Sequence, residues 1–229
     1  MRRAVVISDV HSNLEALQAV LEAAREPDVY CLGDCVGYGA NPNEVLDLLR
    51  DRKAKAVLGN HDNAVVTGDT GNFNPRAAMA VIWTRAQITR ENLEFLRSLP
   101  LEMREELEGV ETYLAHGSPD DRIWEYVDPR THEDLFSHYL SKTGCRLMAL
   151  GHTHVPYRWS GHGGQVFNPG SVGQPRDGDW RASFAILSAD GPEIRVEIRR
   201  VEYDVKKAAS KIMGAGLPSS HADRLLTGS

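Results

Sequence analysis

The chain has few cysteines and no long apolar run. Three cysteines among 229 residues are too few, and an odd number, for a disulfide framework, which favours a reducing compartment. No stretch approaches the ~20 apolar residues that a membrane-spanning helix needs. The apolar run that follows Met1 is cut by Asp9, too early for an export signal. We therefore expect a soluble, cytoplasmic protein.

The sequence also lacks an excess of positive charge. A net charge of −6 disfavours stable binding to nucleic acid or to acidic membrane surfaces. An anionic substrate would need a local source of positive charge, which metal ions can supply. Hydrophobic residues at 41% and charged residues at 25% exclude a disordered chain. The length suits one domain with a modest helical appendage, and it leaves a homo-oligomer open.

Hydrophobic periodicity predicts alternating strands and helices over the first sixty residues. The apolar run Ala4 to Ser8 predicts a strand buried on both faces, and Leu14, Leu17 and Leu21 then recur at helical spacing. Further strands are predicted at 28–32 and 55–58, with a helix between them that begins near Pro42. This alternation indicates a parallel sheet whose carboxyl-end loops build the site.

The rest of the chain predicts a second sheet followed by helices. Residues 74–99 are predicted as helical, 110–115 and 146–150 as strands, and 131–141 as a helix. Four antiparallel strands are predicted in a mixed second sheet, at 155–160, 165–167, 181–188 and 193–200. The main domain would then span 1–202. Residues 203–229 would form a helical extension packed on it and ending in a polar tail.

Five short motifs place metal-binding side chains directly after predicted strands. In an extended segment, residues two apart point to the same side, so each such pair can present two ligands together. Carboxylate, imidazole and amide donors suit a divalent ion such as Mn, Fe, Ni, Co or Zn. The motifs are Asp9-Val10-His11, Gly33-Asp34, Gly59-Asn60-His61-Asp62, His116-Gly117 and Gly151-His152-Thr153-His154.

This motif series resembles that of the calcineurin-like metallophosphoesterases. The match runs from Asp9 to His154 and is most similar to the small bacterial and archaeal phosphodiesterase branch, which also has segments like Asn168-Pro169-Gly170-Ser171. The resemblance implies an α/β fold of four αββα layers, in which helices flank two mixed sheets. It also implies that two divalent ions, with Mn favoured, hold a bridging hydroxide for in-line attack on a phosphate ester.

The resemblance further implies a role for each motif residue. One metal would be held by Asp9, His11 and His154. The other would be held by Asn60, His116 and His152. Asp34 would bridge the two ions, and His61 would act as the general acid toward the leaving group.

The sequence departs from the family at Gly37, where a carboxylate commonly orients the catalytic histidine. Asp62 is the neighbouring candidate for that role. The phosphate-gripping arginine that usually follows this position in protein phosphatases is also missing. Arg176 is a candidate replacement, and it is equally well interpreted as a surface residue. Asn13 is a candidate substrate contact, although a helix cap is the favoured interpretation.

Three functions remain open on the sequence. The first is hydrolysis of small phosphodiesters, either nucleotide-derived or cyclic. The second is hydrolysis of dinucleoside polyphosphates or phosphomonoesters. The third is a scaffold without efficient catalysis, similar to the retromer subunit of this fold, which lacks the catalytic histidine.

The pocket walls are expected to come from residues 74–99, residues 119–126 and the C-terminal helix. Several residues outside the motifs have plainer expected roles. Core packing is predicted for the aromatic residues Tyr38, Phe73, Trp83 and Trp124. Exposed or turn positions are predicted for His132, His138, His162 and His221.

Overall fold

The computed structural model describes residues 2–128, 130 and 133–229. Over these residues the chain has ten strands and eight helices. The strands are β1 Arg2–Ile7, β2 Asp28–Cys31, β3 Lys55–Ala56, β4 Glu102–Leu107, β5 Val110–Ala115, β6 Leu147–Leu150, β7 Tyr157–Gly161, β8 Gly164–Asn168, β9 Ala182–Asp190 and β10 Glu193–Val201. The helices are α1 Leu14–Ala24, α2 Pro42–Asp51, α3 Asn60–Thr67, α4 Pro75–Gln87, α5 Arg90–Ser98, α6 Glu133–Thr143, α7 Val205–Gly214 and α8 Ser219–Thr227.

The first sheet has the order β10-β9-β1-β2-β3. Strand β1 pairs with β2 in parallel and with β9 in antiparallel orientation. Because Ile7 is aligned with Cys31, the carboxyl ends of β1 and β2 lie side by side, and the loops that follow them leave the sheet together. The assignment of β9 and β10 to the second sheet was wrong, since both strands extend the first sheet beside β1.

The second sheet has the order β4-β5-β6-β8-β7. Strands β5 and β6 are parallel with Ala115 aligned to Leu150, which brings the loops after them to one edge. The sequence analysis did not predict β4, whose segment Glu102–Leu107 contains three glutamates and an arginine. An edge strand tolerates this composition because one side of it faces no partner strand.

The two sheets pack face to face between two layers of helices, as the resemblance implied. One apolar cluster fills the space between the sheets and includes Val6, Leu32 and Leu114. A second cluster lies between the first sheet and its helices, and a third packs α6 against the second sheet. In the described part of the chain, no helix combines the length and apolar character required to cross a bilayer.

The segment after residue 202 forms two helices. Helix α7 contacts α1, and α8 packs against α7. Helix α8 occupies the region that was expected to be a polar tail, and Leu225 on it joins the core cluster beneath the first sheet. The predicted helix at 131–141 is α6. The first two residues of that prediction, and with them His132, lie outside the described residues.

Candidate metal centre

The motif residues converge at the shared edge of the two sheets. Their loops turn sharply there, and the backbone φ angle is positive at Asp9 (54°), His11 (48°), Asp34 (52°), His152 (68°) and His154 (62°). Left-handed backbone at a residue other than glycine costs about 1–2 kcal/mol. Local propensity therefore opposes this arrangement, and the surrounding structure maintains it.

The first cluster consists of Asp9, His11 and His154. Its three ligand atoms lie within 4.8 Å of one another. The two histidine Nε2 atoms are 3.1 Å apart, and the Oδ1 atom of Asp9 lies 3.2 Å from Nε2 of His154. Each imidazole donates its Nδ1 hydrogen to a backbone carbonyl, His11 to Val36 at 3.1 Å and His154 to Gln174 at 2.5 Å. These bonds direct both Nε2 lone pairs toward the cluster centre.

The second cluster consists of Asp34, His116 and His152, with Asn60 beside it. Nε2 of His116 lies 3.0 Å from Nδ1 of His152 and 3.1 Å from the side-chain oxygen of Asn60. His116 donates its own Nδ1 hydrogen to the carbonyl of Leu32 at 2.8 Å, so its Nε2 faces the centre as well.

Asp34 lies between the two clusters. Its Oδ2 is 3.6 Å from Nε2 of His11 and 3.4 Å from Nε2 of His116. Its Oδ1 accepts a hydrogen bond of 2.8 Å from the backbone N–H of His61, which orients the carboxylate. One oxygen of Asp34 therefore faces both ligand groups at once.

The carboxylates of the centre are ionised. In the absence of a cation, burial by itself would raise the pKa of Asp9, but the neighbouring imidazole of His154 outweighs burial and lowers it. Burial likewise opposes the charge on Asp34, whose pKa is nevertheless held well below its usual range, chiefly by His116 and His61. Burial by itself would lower the pKa of His116. In the absence of a cation, the charge of Asp34 outweighs burial and raises this pKa to about 10.

The other histidines of the centre are neutral. Burial lowers the pKa of His152 to about 3 and that of His11 well below its usual value. Burial, followed by the charge of Arg176, lowers the pKa of His154. Ionised carboxylates and neutral imidazoles are the protonation states in which these groups bind metals.

The donor set fits two divalent cations. The Oδ1 atom of Asp9 is buried and has no hydrogen-bond donor among the described residues, because Nε2 of His154, 3.2 Å away, carries no hydrogen when Nδ1 donates to Gln174. A buried carboxylate oxygen without a partner is costly unless a cation or donor satisfies it. Two imidazole nitrogens about 3 Å apart, with their lone pairs directed at the same point, are stabilised by a cation bound between them. Oxygen and nitrogen donors together suit first-row divalent ions.

Contacts with aromatic rings orient His61. In the family a carboxylate at the position of Gly37 commonly has this role. The His61 ring lies 4.4 Å from that of Tyr38 and 4.7 Å from that of Phe73, measured between centroids, and its Nδ1 has no hydrogen-bond partner among the residues that the structure describes. Gly37 has a φ of 95°, and a Cβ atom there would lie 2.5 Å from this Nδ1. The absence of a side chain at residue 37 thus leaves the space that the imidazole edge uses.

Asp62 has a different role from orienting His61. Its carboxylate accepts hydrogen bonds from the backbone N–H groups of Cys35, Val36 and Gly59, at 3.2, 3.0 and 3.1 Å. These bonds tie the loop after β2 to the first turn of α3. The hypothesis that Asp62 orients His61 is therefore wrong, because both carboxylate oxygens serve the backbone.

A cavity of about 80 Å³ opens over the centre. Aromatic residues form much of its wall, and Tyr126 stacks on the ring of His152 at 3.8 Å. Tyr126 lies in the loop 119–126, which was expected to form part of the pocket wall, and this loop supplies both Trp124 and Tyr126. The other aromatic wall residues are Tyr38, Phe73 and Trp124. Tyr38 and Phe73 also pack against the core cluster beneath the first sheet, whereas Trp124 belongs to none of the three clusters formed by the described residues, and the prediction of core packing was wrong for it.

Arg176 and Asn13 differ in their position relative to this cavity. Arg176 lines the cavity, and its guanidinium lies 3.4 Å from the hydroxyl of Tyr38. Its Nε is buried and has no hydrogen-bond partner in the described part of the chain. The side chain of Asn13 instead caps α1 through Ala16 and donates to the carbonyl of Gly173 at 2.9 Å. The alternative role of Asn13 as a substrate contact is not supported, because protein groups engage both ends of its amide.

Comparison with known proteins agrees with this geometry. Residues 1–191 match the model of the calcineurin-like phosphoesterase superfamily domain. The chain belongs to this superfamily. A metallophosphoesterase from Sphaerobacter thermophilus, a superfamily member of known crystal structure, is 38% identical, with a TM-score of 0.86 over 100% of this chain and 99% of that one.

Two further relatives extend the comparison. An uncharacterized protein from Methanocaldococcus jannaschii is 42% identical over 97% of each chain. A hypothetical protein from Pyrococcus horikoshii superposes with a TM-score of 0.92 over 100% of this chain and 99% of that one, at 22% identity, which shows the fold alone. Within the calcineurin-like superfamily the activity depends on divalent metals, and this chain contains candidate metal-binding clusters.

Proposed function

We propose that this metallophosphoesterase hydrolyses small phosphodiesters, nucleotide-derived or cyclic, with two divalent metal ions. The position of Asp34 carries the proposal, because one of its oxygens lies 3.6 Å from His11 of the first cluster and 3.4 Å from His116 of the second. A carboxylate so placed is suited to bridge two cations. The acidic surface does not prevent binding of an anionic substrate, since four cationic charges would exceed those of Asp9 and Asp34.

The ligands are assigned by cluster. Asp9, His11 and His154 would hold one ion. Asn60, His116 and His152 would hold the other. When bound, two such ions supply an ionised water as nucleophile and neutralise charge on the phosphoryl oxygens, and manganese is the ion we favour.

His61 and Arg176 complete the site, and both contact Tyr38. Burial lowers the pKa of His61 to about 4, so its imidazole is neutral and keeps one N–H to donate. We assign that N–H to the leaving oxygen of the ester. The guanidinium of Arg176, whose Nε lacks a partner, would bind a non-bridging phosphate oxygen.

The small cavity supports a small substrate. A volume of about 80 Å³ accommodates a phosphate group and part of one substituent, while the aromatic walls can stack a base or an aryl ring. The narrow space disfavours a protein chain as substrate.

The direct test is a substrate panel on metal-loaded protein. We expect bis-aryl phosphates and cyclic nucleotides to be hydrolysed with higher kcat/KM than mono-aryl phosphates, when Mn²⁺, Ni²⁺, Co²⁺ and Zn²⁺ are compared in turn. Asp34→Asn should lose at least about a hundredfold in activity together with bound metal. Hydrolysis of monoesters alone, or no hydrolysis with any of the four ions, would refute the proposal.

The role of His61 is tested by His61→Ala. Loss of the hydrogen bond that stabilises charge on the leaving oxygen should lower kcat by about 10²–10³-fold while both metals stay bound. Metal content by elemental analysis and kcat with a bis-aryl phosphate are the two measurements. His138→Ala, which removes an exposed histidine, is the matched control. A fully active His61→Ala protein would show that another group assists the leaving oxygen.

A further inference from the structure

A second cavity lies beside the metal centre and has no role in the chemistry described above. It measures about 300 Å³ and is formed where the beginning of α4 meets the beginning of α8. Its lining among the described residues contains two arginines, a histidine and a serine, and no carboxylate. The full set is Tyr38, Asn74, Pro75, Arg76, Ser220, His221 and Arg224.

The arginines in this cavity are not neutralised. Arg76 is exposed and Arg224 half-buried, and neither guanidinium forms a hydrogen bond or ion pair within the described part of the chain. Burial lowers the pKa of His221, and the hydrogen bond to the backbone carbonyl of Arg76 opposes this effect. The charges of Arg224, Arg76 and Arg176 lower the pKa further. Three positively charged side chains therefore lie near His221.

His221 is a buried polar residue in the wall of this cavity. It was predicted to lie at an exposed or turn position, and that prediction was wrong, since it lies in α8 with only 2% of its surface accessible. Its Nε2 lies 3.2 Å from the carbonyl oxygen of Arg76 and so carries the hydrogen of the neutral ring. Its Nδ1 is then an acceptor, and it has no partner among the described residues; the buried hydroxyl of Ser220 also lacks one.

The cavity adjoins the metal centre. Tyr38 and Asn74 line both spaces. The Tyr38 ring lies 4.4 Å from the ring of His61 and 4.8 Å from the ring of His221, measured between centroids. A substrate with its ester at the centre can thus extend past the edge of one aromatic ring into the second cavity.

We propose that this cavity binds a second, terminal phosphate group of the substrate. The inference rests on the proposed phosphodiesterase function. Guanidinium groups pair with anionic phosphate oxygens. A terminal phosphate, unlike a diester or a carboxylate, carries up to two negative charges near neutral pH, one for each of the two unpaired guanidinium groups. The substrate class is therefore a nucleotide-type diester with an additional phosphomonoester or polyphosphate end.

The test compares two dinucleotides, dithymidine monophosphate with and without a terminal phosphate. Both contain one phosphodiester bond, so the ratio of their kcat/KM values isolates the contribution of the second group. We expect the phosphorylated dinucleotide to be favoured about tenfold or more, as one charge-assisted contact predicts. In the double variant Arg76→Gln/Arg224→Gln this ratio should fall to about one.

Arg52→Gln/Arg90→Gln is the matched control, since these exposed arginines line neither cavity and should leave the ratio at its original value. Because the ratio is internal to each preparation, a partly unfolded variant does not imitate the effect. Equal kcat/KM for the two dinucleotides in the unmodified protein would overturn the second site and leave the proposed function standing. Hydrolysis of neither dinucleotide nor of a bis-aryl phosphate would refute both.

A binding experiment distinguishes a substrate phosphate from a free anion. Inorganic phosphate titrated calorimetrically into metal-free protein should bind the unmodified chain more tightly than Arg76→Gln/Arg224→Gln. If phosphate binds in this arginine-dependent way while the two dinucleotides are cleaved equally, the occupant is a free anion and the substrate assignment is overturned.

Discussion

At the scale of single residues, the metal centre combines side chains suited to bind metal ions with backbone conformations that these residues rarely adopt. Five of the seven proposed ligands have positive φ, which their side chains disfavour. Hydrogen bonds between imidazole Nδ1 atoms and backbone carbonyls hold the rings in place, and Asp62 anchors the loop after β2. Ligand geometry is thus maintained by backbone groups that no motif specifies.

Gly37→Ala tests how closely the backbone constrains His61. The new Cβ atom would lie 2.5 Å from Nδ1 of His61, and a φ of 95° is disfavoured for alanine. We expect the ring to be displaced and kcat to fall at least about tenfold, since misplacement of about 1 Å can cost more. The measurement is kcat with a bis-aryl phosphate, alongside metal content.

Gly178→Ala is the control for backbone strain alone, because Gly178 has a φ of 84° with no atom within 4 Å of the new Cβ. It should lower stability by about 1 kcal/mol and leave kcat unaffected. An equal loss of kcat in the two variants would show that strain, rather than contact with His61, causes the effect.

At the scale of elements, α1 and α8 set the boundary of the site. Helix α1 begins directly after the first motif, and its cap residue Asn13 also donates to Gly173 in the loop after β8. Helix α8 supplies one wall of the second cavity and is held by its apolar face. Packing of these helices therefore determines which residues the substrate can reach.

Asn13→Ala separates a structural from a substrate-binding role. Loss of the α1 cap should lower the free energy of unfolding by about 1–2 kcal/mol, measured by chemical denaturation, with KM unaltered. Thr89→Ala removes the corresponding cap of α5 and should cost about 1 kcal/mol. A severalfold rise in KM without loss of stability would restore Asn13 as a substrate contact.

The docking of α8 is tested by a pair of adjacent leucines. Leu225 is 2% exposed within the core, whereas its neighbour Leu226 is 48% exposed. Leu225→Ala should lower the free energy of unfolding by about 2–4 kcal/mol, as truncations in a core do. Leu226→Ala should change it by less than about 0.5 kcal/mol. Similar small effects in both variants, measured by denaturant titration, would show that α8 is loosely docked.

At the scale of the whole molecule, the metal centre joins the two sheets. Asp9 and Asp34 follow strands of the first sheet, and His116 and His152 follow strands of the second. Ions bound between them would connect both layers of the sandwich. The centre should therefore contribute to global stability as well as to catalysis.

Loading with Mn²⁺ should raise the melting temperature. Saturation at one hundred times Kd adds about 2.7 kcal/mol to the folded state, which corresponds to several degrees for a chain of this size. The gain should diminish as pH falls, because protonation of the ligand histidines competes with the metal. Differential scanning calorimetry of metal-free and loaded protein measures it.

Asp34→Asn should lose most of this gain, and Asp51→Asn, which changes an exposed carboxylate on α2, should retain it. An unchanged melting temperature at saturating metal for the unmodified protein would contradict the expectation that ions couple the sheets.

Predictions that depend on neighbouring residues in the chain were more accurate than predictions that depend on distant ones. Strands β1, β2 and β5 were predicted because an apolar run depends only on residues next to one another in the chain. Strand β4 was missed because its charged segment lacks the alternation of a half-buried strand. The sheet to which β9 belongs depends on long-range pairing, which no local pattern encodes.

The sequence by itself determined the class of fold, the superfamily and the identity of the residues that converge at the sheet edge. The reason is that the order of the motifs, and their position directly after apolar runs, are features of the linear sequence. Only the tertiary structure decided that Asp34 lies between two clusters, that Gly37 leaves space for His61, and that α8 brings His221 beside Tyr38. These features join residues distant in the chain, and packing in three dimensions alone specifies such contacts.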